Sequence, residues 1–195
     1  MHGVSYFERR LSKCSKRPLK GMLTRKASLE LYTRWVEESV KRGDPVKFLS
    51  TSGRPNRYNP AGVECFYFAE DERTAQWECE RGLPASVNPK QSVVELHAKV
   101  LLHSVLDLLD PANMSTLGLT PRDLRVNWRK HAPAATQMLG AAVARTKIYS
   151  AIQYPSVAAQ EQGEKGVCVV IFKERLKSPD SVDILGGNRL LEHLP

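Results

Sequence analysis

GVECFYFAEDERTAQWECERG, the run from Gly62 to Gly82, decides how this chain folds. Its first part, Val63 to Ala69, alternates with period two and is rich in aromatic residues. That pattern suits a half-buried strand. Asp71 then stands where a helix N-cap is needed, with more acid in the first turn. The segment to Arg81 reads as helix, and Gly82 with Pro84 ends it. A strand passing straight into a helix interleaves the two kinds of element from the outset.

Working outward from that run, the same mixture continues. Downstream, Ser92 to Leu108 holds a strand (VVELHAKV) and a second short piece ending at Leu109, before a turn at Asp110-Pro111. Met114 to Leu124 reads as helical fragments interrupted by Gly118 and Pro121. Ala134 to Arg145 is a clear helix, with Leu139, Ala142 and Val143 on one face. Ile148 to Tyr154, Gly166 to Phe172 (GVCVVIF) and Val182 to Leu185 read as strands. Upstream, Leu31 to Val36 mixes aromatic and apolar residues and reads as a short strand. Gly43 to Gly62 is a polar loop rich in Gly, Pro and Asn, and long loops inside domains are often functional. No strict βαβ alternation is present. The expected fold is α+β: a mixed or antiparallel central sheet with flanking helices.

A chain of 195 residues is one ordinary domain with room for a terminal extension. Four cysteines (Cys14, Cys65, Cys79 and Cys168) show no C-x-x-C spacing, which argues against zinc and for reduced cytosolic thiols. The sequence shows no secretory leader and no apolar run long enough for a membrane span, so a cytoplasmic location is expected. The net charge of +8 calls for an anionic partner. Much of that excess lies between Arg9 and Lys26, where Arg9, Arg10, Lys13, Lys16, Arg17, Lys20, Arg25 and Lys26 carry no aromatic interleaving. Such runs are usually solvated, so residues 1–27 are read as a basic extension and residues 28–195 as the domain.

Several residues could carry chemistry. The loop before the aromatic strand gathers Arg54, Arg57, Tyr58 and Asn59, and a guanidinium fork fits phosphate oxygens in two-point fashion. The strand brings Tyr67, and the helix brings Glu78 and Glu80. Basic groups, aromatic rings and a carboxylate would thus collect near one strand end. Periodicity alone allows the plainer reading of solvated arginines and outer-face glutamates. Glu78 and Glu80 differ by about 200 degrees around a helix, so only one can face a site. Ser156 follows Pro155 in AIQYPS, where it could bond a ligand or cap the next turn. His2, His97, His103, His131 and His193 are scattered. No P-loop, dinucleotide fingerprint, nucleophile elbow or H-E-x-x-H is present, so no metal or resident cofactor is expected.

Taken together, these pieces resemble the RES family, named for its Arg, Glu and Ser. The resemblance rests on LYTRW (Leu31 to Trp35), NRYNP (Asn56 to Pro60) and FYFAEDERTAQWE (Phe66 to Glu78). It continues through LDLLDP (Leu106 to Pro111), Trp128, the helix carrying Thr136, Gln137 and Gly140, and Pro155-Ser156. The order and spacing of the pieces carry the signal, from about residue 29 to about residue 175. The resemblance implies an ADP-ribosyltransferase-like fold and a toxin of a bacterial toxin–antitoxin pair. It implies consumption of NAD by hydrolysis or phosphorolysis, with NAD as substrate and inorganic phosphate as a co-substrate in the second case. It also implies a cognate antitoxin with an Xre-like DNA-binding part that blocks the toxin's site and assembles with it. By position, Glu78 would be the catalytic carboxylate. Arg34 and Arg57 would hold the phosphates or ribose. Tyr67, Tyr58, Asn59 and Tyr32 would line the ligand, and Ser156 would hold the nicotinamide ribose or amide.

The chemistry suits those residue types. Cleavage of the nicotinamide–ribose bond builds an oxocarbenium-like centre that a nearby carboxylate stabilises. Nicotinamide leaves neutral, so no strong general acid is required. Two other readings stand beside this one. One is ADP-ribosyl transfer to a protein acceptor by the same site. The other is a basic nucleic-acid-binding module without catalysis, which rests on charge alone and lacks a recognition motif.

Overall fold

A computed structural model describes residues 3–41, 43, 53–82, 93–131, 133–187 and 189–195. In chain order the elements begin with α1 (Val4–Leu11), β1 (Lys16–Ser28), α2 (Leu29–Lys41), β2 (Cys65–Ala69), α3 (Glu72–Gly82) and β3 (Val93–Asp107). There follow α4 (Pro111–Leu117), α5 (Pro121–Arg125), α6 (Ala135–Thr146), β4 (Ala151–Pro155) and α7 (Val157–Glu161). The chain closes with β5 (Val167–Phe172), a 3₁₀ turn at Lys173–Arg175, β6 (Ser181–Gly186) and β7 (Arg189–Leu194).

The seven strands form one sheet in the order β1-β2-β5-β4-β3-β6-β7. Every pairing is antiparallel except β3 with β4. β1 runs along β3 from Lys16 opposite Leu106 to Ser28 opposite Val93, and it also meets β2 where Thr24 faces Ala69. The pairings therefore close a ring through β1, β2, β5, β4 and β3, and β6 and β7 extend from β3. This is the expected α+β architecture, with a mostly antiparallel sheet.

Period-two alternation sorts the strands' side chains into two cores. On β2 and β5, Cys65, Ala69, Cys168, Val170 and Phe172 join the core under α1, α4 and α6. Phe66, Phe68, Val169 and Ile171, on the opposite face, join the core shared with β3 and β6. The strand–helix reading of Gly62 to Gly82 thus holds, and Asp71 caps α3 by accepting from the Thr74 backbone N–H at 2.8 Å and its hydroxyl at 2.7 Å.

Three readings need correction. The strand expected at Leu31 to Val36 is helix. Tyr32 and Val36 are one turn apart and both pack on the second core, so the helical period outweighs local aromatic β-propensity. The two pieces expected between Ser92 and Leu109 are one strand of 15 residues, because β1 pairs with it along nearly its whole length. Residues 44–52 of the expected long loop lie outside the described residues.

The third correction concerns the N-terminal segment, read as a solvated extension. Phe7 and Leu11 are fully buried in the first core. The Ser15 backbone N–H donates to Asn113 Oδ1 at 2.9 Å, and Arg17 pairs with Asp107 at 2.8 Å. Backbone pairing with β3 is indifferent to side-chain charge, and from Lys16 to Met22 most side chains face solvent. A strand built this way looks like a tail in sequence. The Tyr149 hydroxyl holds the segment down, 3.0 Å from the Leu11 carbonyl oxygen and 2.9 Å from that of Cys14. Tyr149→Phe is expected to cost about 1–2 kcal/mol. The melting temperature should fall by roughly 2–8 °C. A segment that was merely solvated would leave the melting curve unchanged.

Candidate active site

The site grows from the β2–α3 junction. With α3 started by Asp71, Glu78 comes round to the side facing the start of α7. Its Oε1 accepts from the Ser156 hydroxyl at 2.6 Å and from the Ala158 backbone N–H at 3.4 Å. Ser156 is fully buried, and its oxygen accepts from the Ala159 backbone N–H at 3.0 Å. The serine therefore caps α7 and fixes the glutamate together, so both sequence readings of Ser156 are realised in one geometry. Among the described residues nothing bonds Glu78 Oε2.

Beside Glu78 lies a cavity of about 310 Å³. β1 supplies one wall from Thr24 to Ser28, with Arg25 and Lys26. Asn56, Arg57 and Tyr67 supply a second wall, and Tyr154 with Cys168 the floor strands. Trp128 and Arg129 close another side.

The NRYNP loop is held by α6. Gln137 Nε2 donates to the Asn56 carbonyl at 3.1 Å while its Oε1 accepts from the Ala134 N–H at 3.1 Å. Gly140 lets the helix meet the loop backbone directly, since a Cβ there would sit 1.5 Å from the Tyr58 carbonyl oxygen. Arg57 is buried, and its Nη1 donates to the carbonyls of Leu124 at 2.6 Å and Val126 at 3.2 Å. Those acceptors are neutral, so its charge is not cancelled by them.

The predicted binding residues divide into two groups. Arg57 and Tyr67 line the cavity. Tyr58 and Asn59 are fully buried behind it. The Tyr58 ring packs against Tyr154 with centroids 4.3 Å apart. Asn59 donates to the carbonyls of Arg54 at 2.7 Å and Val63 at 2.9 Å, and accepts from the Tyr67 hydroxyl at 2.8 Å. Neither residue lines the cavity. Glu80 accepts from Gln76 at 2.8 Å and does not line the cavity, as helical geometry requires once Glu78 does.

Arg34 and Tyr32 are not in the site. Both lie on α2, where Arg34 is exposed and paired with Glu30 one turn away at 2.9 Å. Tyr32 packs on the second core. Arg25, on β1 in the segment read as a tail, does line the cavity. Around it Leu23, Thr24, Ala27 and Ser28 are buried in adjacent pairs, so no period-two pattern marks this stretch in the sequence.

Electrostatically the cavity is cationic. Arg25, Lys26, Arg57, Arg81 and Arg129 line it against one carboxylate, Glu78. Lys26 is paired with Glu95 at 3.0 Å and Arg81 with Glu161 at 2.9 Å. Burial lowers the Arg25 guanidinium to about 10, which still leaves it charged at neutral pH. Burial pushes the Tyr58, Tyr67 and Tyr154 phenols upward, so all three stay neutral. Among the described residues no group of His, Cys, Asp and Glu is arranged to hold a metal ion. The arrangement suits an anionic ligand carrying one centre that becomes positive next to Glu78.

Known proteins were compared with this chain in three ways. The RES domain family matches residues 36–189. A search of curated proteins returned no match. Among solved structures the fold is similar to a chain in the crystal structure of the M. tuberculosis MbcT–MbcA toxin–antitoxin complex, with a TM-score of 0.57 and 16% sequence identity. That similarity spans 97% of this chain and 91% of the other.

Proposed function

Since the chain belongs to the RES family, we propose that it is a bacterial toxin that depletes NAD by cleaving the nicotinamide–ribose bond, and that a cognate antitoxin neutralises it. The observation that carries this reading is the Glu78 carboxylate, fixed by Ser156 at 2.6 Å, at the wall of a cavity rich in guanidinium groups. The solved relative in a toxin–antitoxin complex supports a partner of that kind.

In this reading the guanidinium groups of Arg25 and Arg57 take the diphosphate of NAD, and Glu78 lies beside the nicotinamide ribose. The bond from the ribose anomeric carbon to the nicotinamide nitrogen breaks, and its electron pair leaves with neutral nicotinamide. Positive charge builds on the ribose and is stabilised by the fixed carboxylate. Water or phosphate oxygen then bonds to the anomeric carbon; when water attacks, its proton passes to the carboxylate or to solvent. Because Ser156 and the Ala158 N–H both bond Oε1, the unbonded Oε2 is the oxygen available to the reaction.

Incubation with NAD, with and without inorganic phosphate, should release free nicotinamide. NAD left intact under both conditions would sink the proposal. Label from the adenylate half appearing on protein would instead favour ADP-ribosyl transfer. Two substitutions test the placement of the arginines. Arg25→Ala should lower kcat/KM by roughly ten- to a hundredfold, the loss of a charge-assisted contact. Arg34→Ala, on the exposed face of α2, should leave turnover unchanged and alter stability by no more than about 0.5 kcal/mol. The opposite ranking in a steady-state assay would return the role to Arg34.

A further inference from the structure

Cys168 is buried at the wall of the cavity, in the central strand β5, where it faces Tyr154 of β4 and Ala69 of β2 across the sheet. Its Sγ lies 3.8 Å from Glu78 Oε1, the same oxygen that accepts from Ser156 at 2.6 Å and Ala158 N–H at 3.4 Å. From the Glu78–Ser156–Cys168 geometry we infer that the Cys168 thiol is a positioning residue, a third donor that holds one oxygen of Glu78 against α7 and leaves the other for the substrate. The inference rests on the proposed NAD-cleaving reading for its effect on turnover, though the contact itself does not depend on that reading.

Three features support a donor role. A thiol is a weak donor, and a carboxylate is the acceptor best able to use one. Burial, and then the charge of Glu78, push the thiol well above its ordinary value, so it keeps its proton. The donors also come from independent elements: β5 for Cys168, and the β4–α7 junction for Ser156 and Ala158. Rotation of the carboxylate about its last bond would break contacts to both. The charged and titratable groups lining the same cavity are Arg25 and Lys26 from β1, Arg57 and Tyr67, Cys79 and Arg81 from α3, Arg129, and Tyr154 from β4. None of them donates to Oε1 in the described contacts. Among the described residues Cys168 alone adds a side-chain donor to that of Ser156.

Two measurements test this, one of them independent of activity. The infrared S–H stretch of Cys168, assigned as the band missing from Cys168→Ala, should move to higher frequency in Glu78→Ala, because the thiol loses its acceptor. An unmoved band overturns the inference whether or not the protein cleaves NAD. In the nicotinamide-release assay, Cys168→Ala should lower kcat by roughly three- to tenfold with KM little changed, the size of one weak oriented contact. Cys168→Ser should recover most of that loss, since a hydroxyl can donate from the same place. An equal fall in both variants, or none in Cys168→Ala, overturns the donor role in favour of packing. A wild-type protein inert toward NAD would end the function reading and leave the infrared result to decide the contact.

Discussion

Glu78→Gln is expected to lower nicotinamide release by about a hundredfold or more while the protein unfolds within a few degrees of the wild type. The substitution keeps the size of the side chain and leaves an oxygen for the Ser156 hydroxyl, now 2.6 Å from the carboxylate. It removes only the negative charge. A fixed charge beside a developing cation in a site that excludes water supplies several kcal/mol of barrier lowering, and about 2.7 kcal/mol is a hundredfold. Glu80→Gln is the matched control. Its carboxylate faces Gln76 at 2.8 Å, away from the cavity, so turnover should be retained. A steady-state assay of both variants decides the matter. If Glu80→Gln is the inactive one, the helix register assigned to the site is wrong.

Gly140→Ala is expected to be the most damaging single-methyl change in the fold. The added Cβ would lie 1.5 Å from the Tyr58 carbonyl oxygen and 2.6 Å from its carbonyl carbon, both backbone atoms that no rotamer change can move. Either α6 must retreat or the Asn56–Asn59 loop must shift. Overpacking of a buried site costs about 3 kcal/mol at the upper end of the usual range. In a chain of this size that lowers the melting temperature by roughly 6–12 °C. The damage should also reach the site, because Gln137 ties Asn56 to the same helix at 3.1 Å and Arg57 follows in sequence. A melting curve within about 2 °C of wild type would mean that the helix–loop approach is looser than described.

The motif pieces quoted from the sequence turn out to have unequal meanings. Gln137 and Gly140 hold the loop that carries Arg57. LDLLDP is structural too. Asp107 pairs with Arg17 and accepts from the Leu109 N–H at 2.8 Å, while Asp110 caps α4. Asn59 and Tyr58 were assigned to the ligand by their position in the NRYNP piece of the resemblance. The structure uses the Asn59 side chain to close the loop, since a tight turn around Asn56 and Asn59 must find partners for its own backbone groups, and packs the Tyr58 ring against Tyr154.

The strand and helix around Glu78 were legible in the sequence itself, while the choice of Glu78 rested on the family resemblance. A period-two run, a cap at Asp71 and a helix stop at Gly82 are local signals, and they place the strand and the helix without saying which glutamate of α3 faces inward. Ser156 was legible only as a residue with two possible tasks. Which of Arg25 and Arg34 lines the cavity was decided by tertiary structure alone. Arg25 lies in a basic run without aromatic residues and Arg34 stands among glutamates beside Tyr32 and Trp35, and those aromatic residues favoured Arg34. Pairing of β1 with β3 from Lys16 to Ser28 turns Arg25 into the cavity and leaves Arg34 on an exposed helix. That pairing joins residues some 80 positions apart through backbone hydrogen bonds, which leave no pattern in the charges of the side chains they carry.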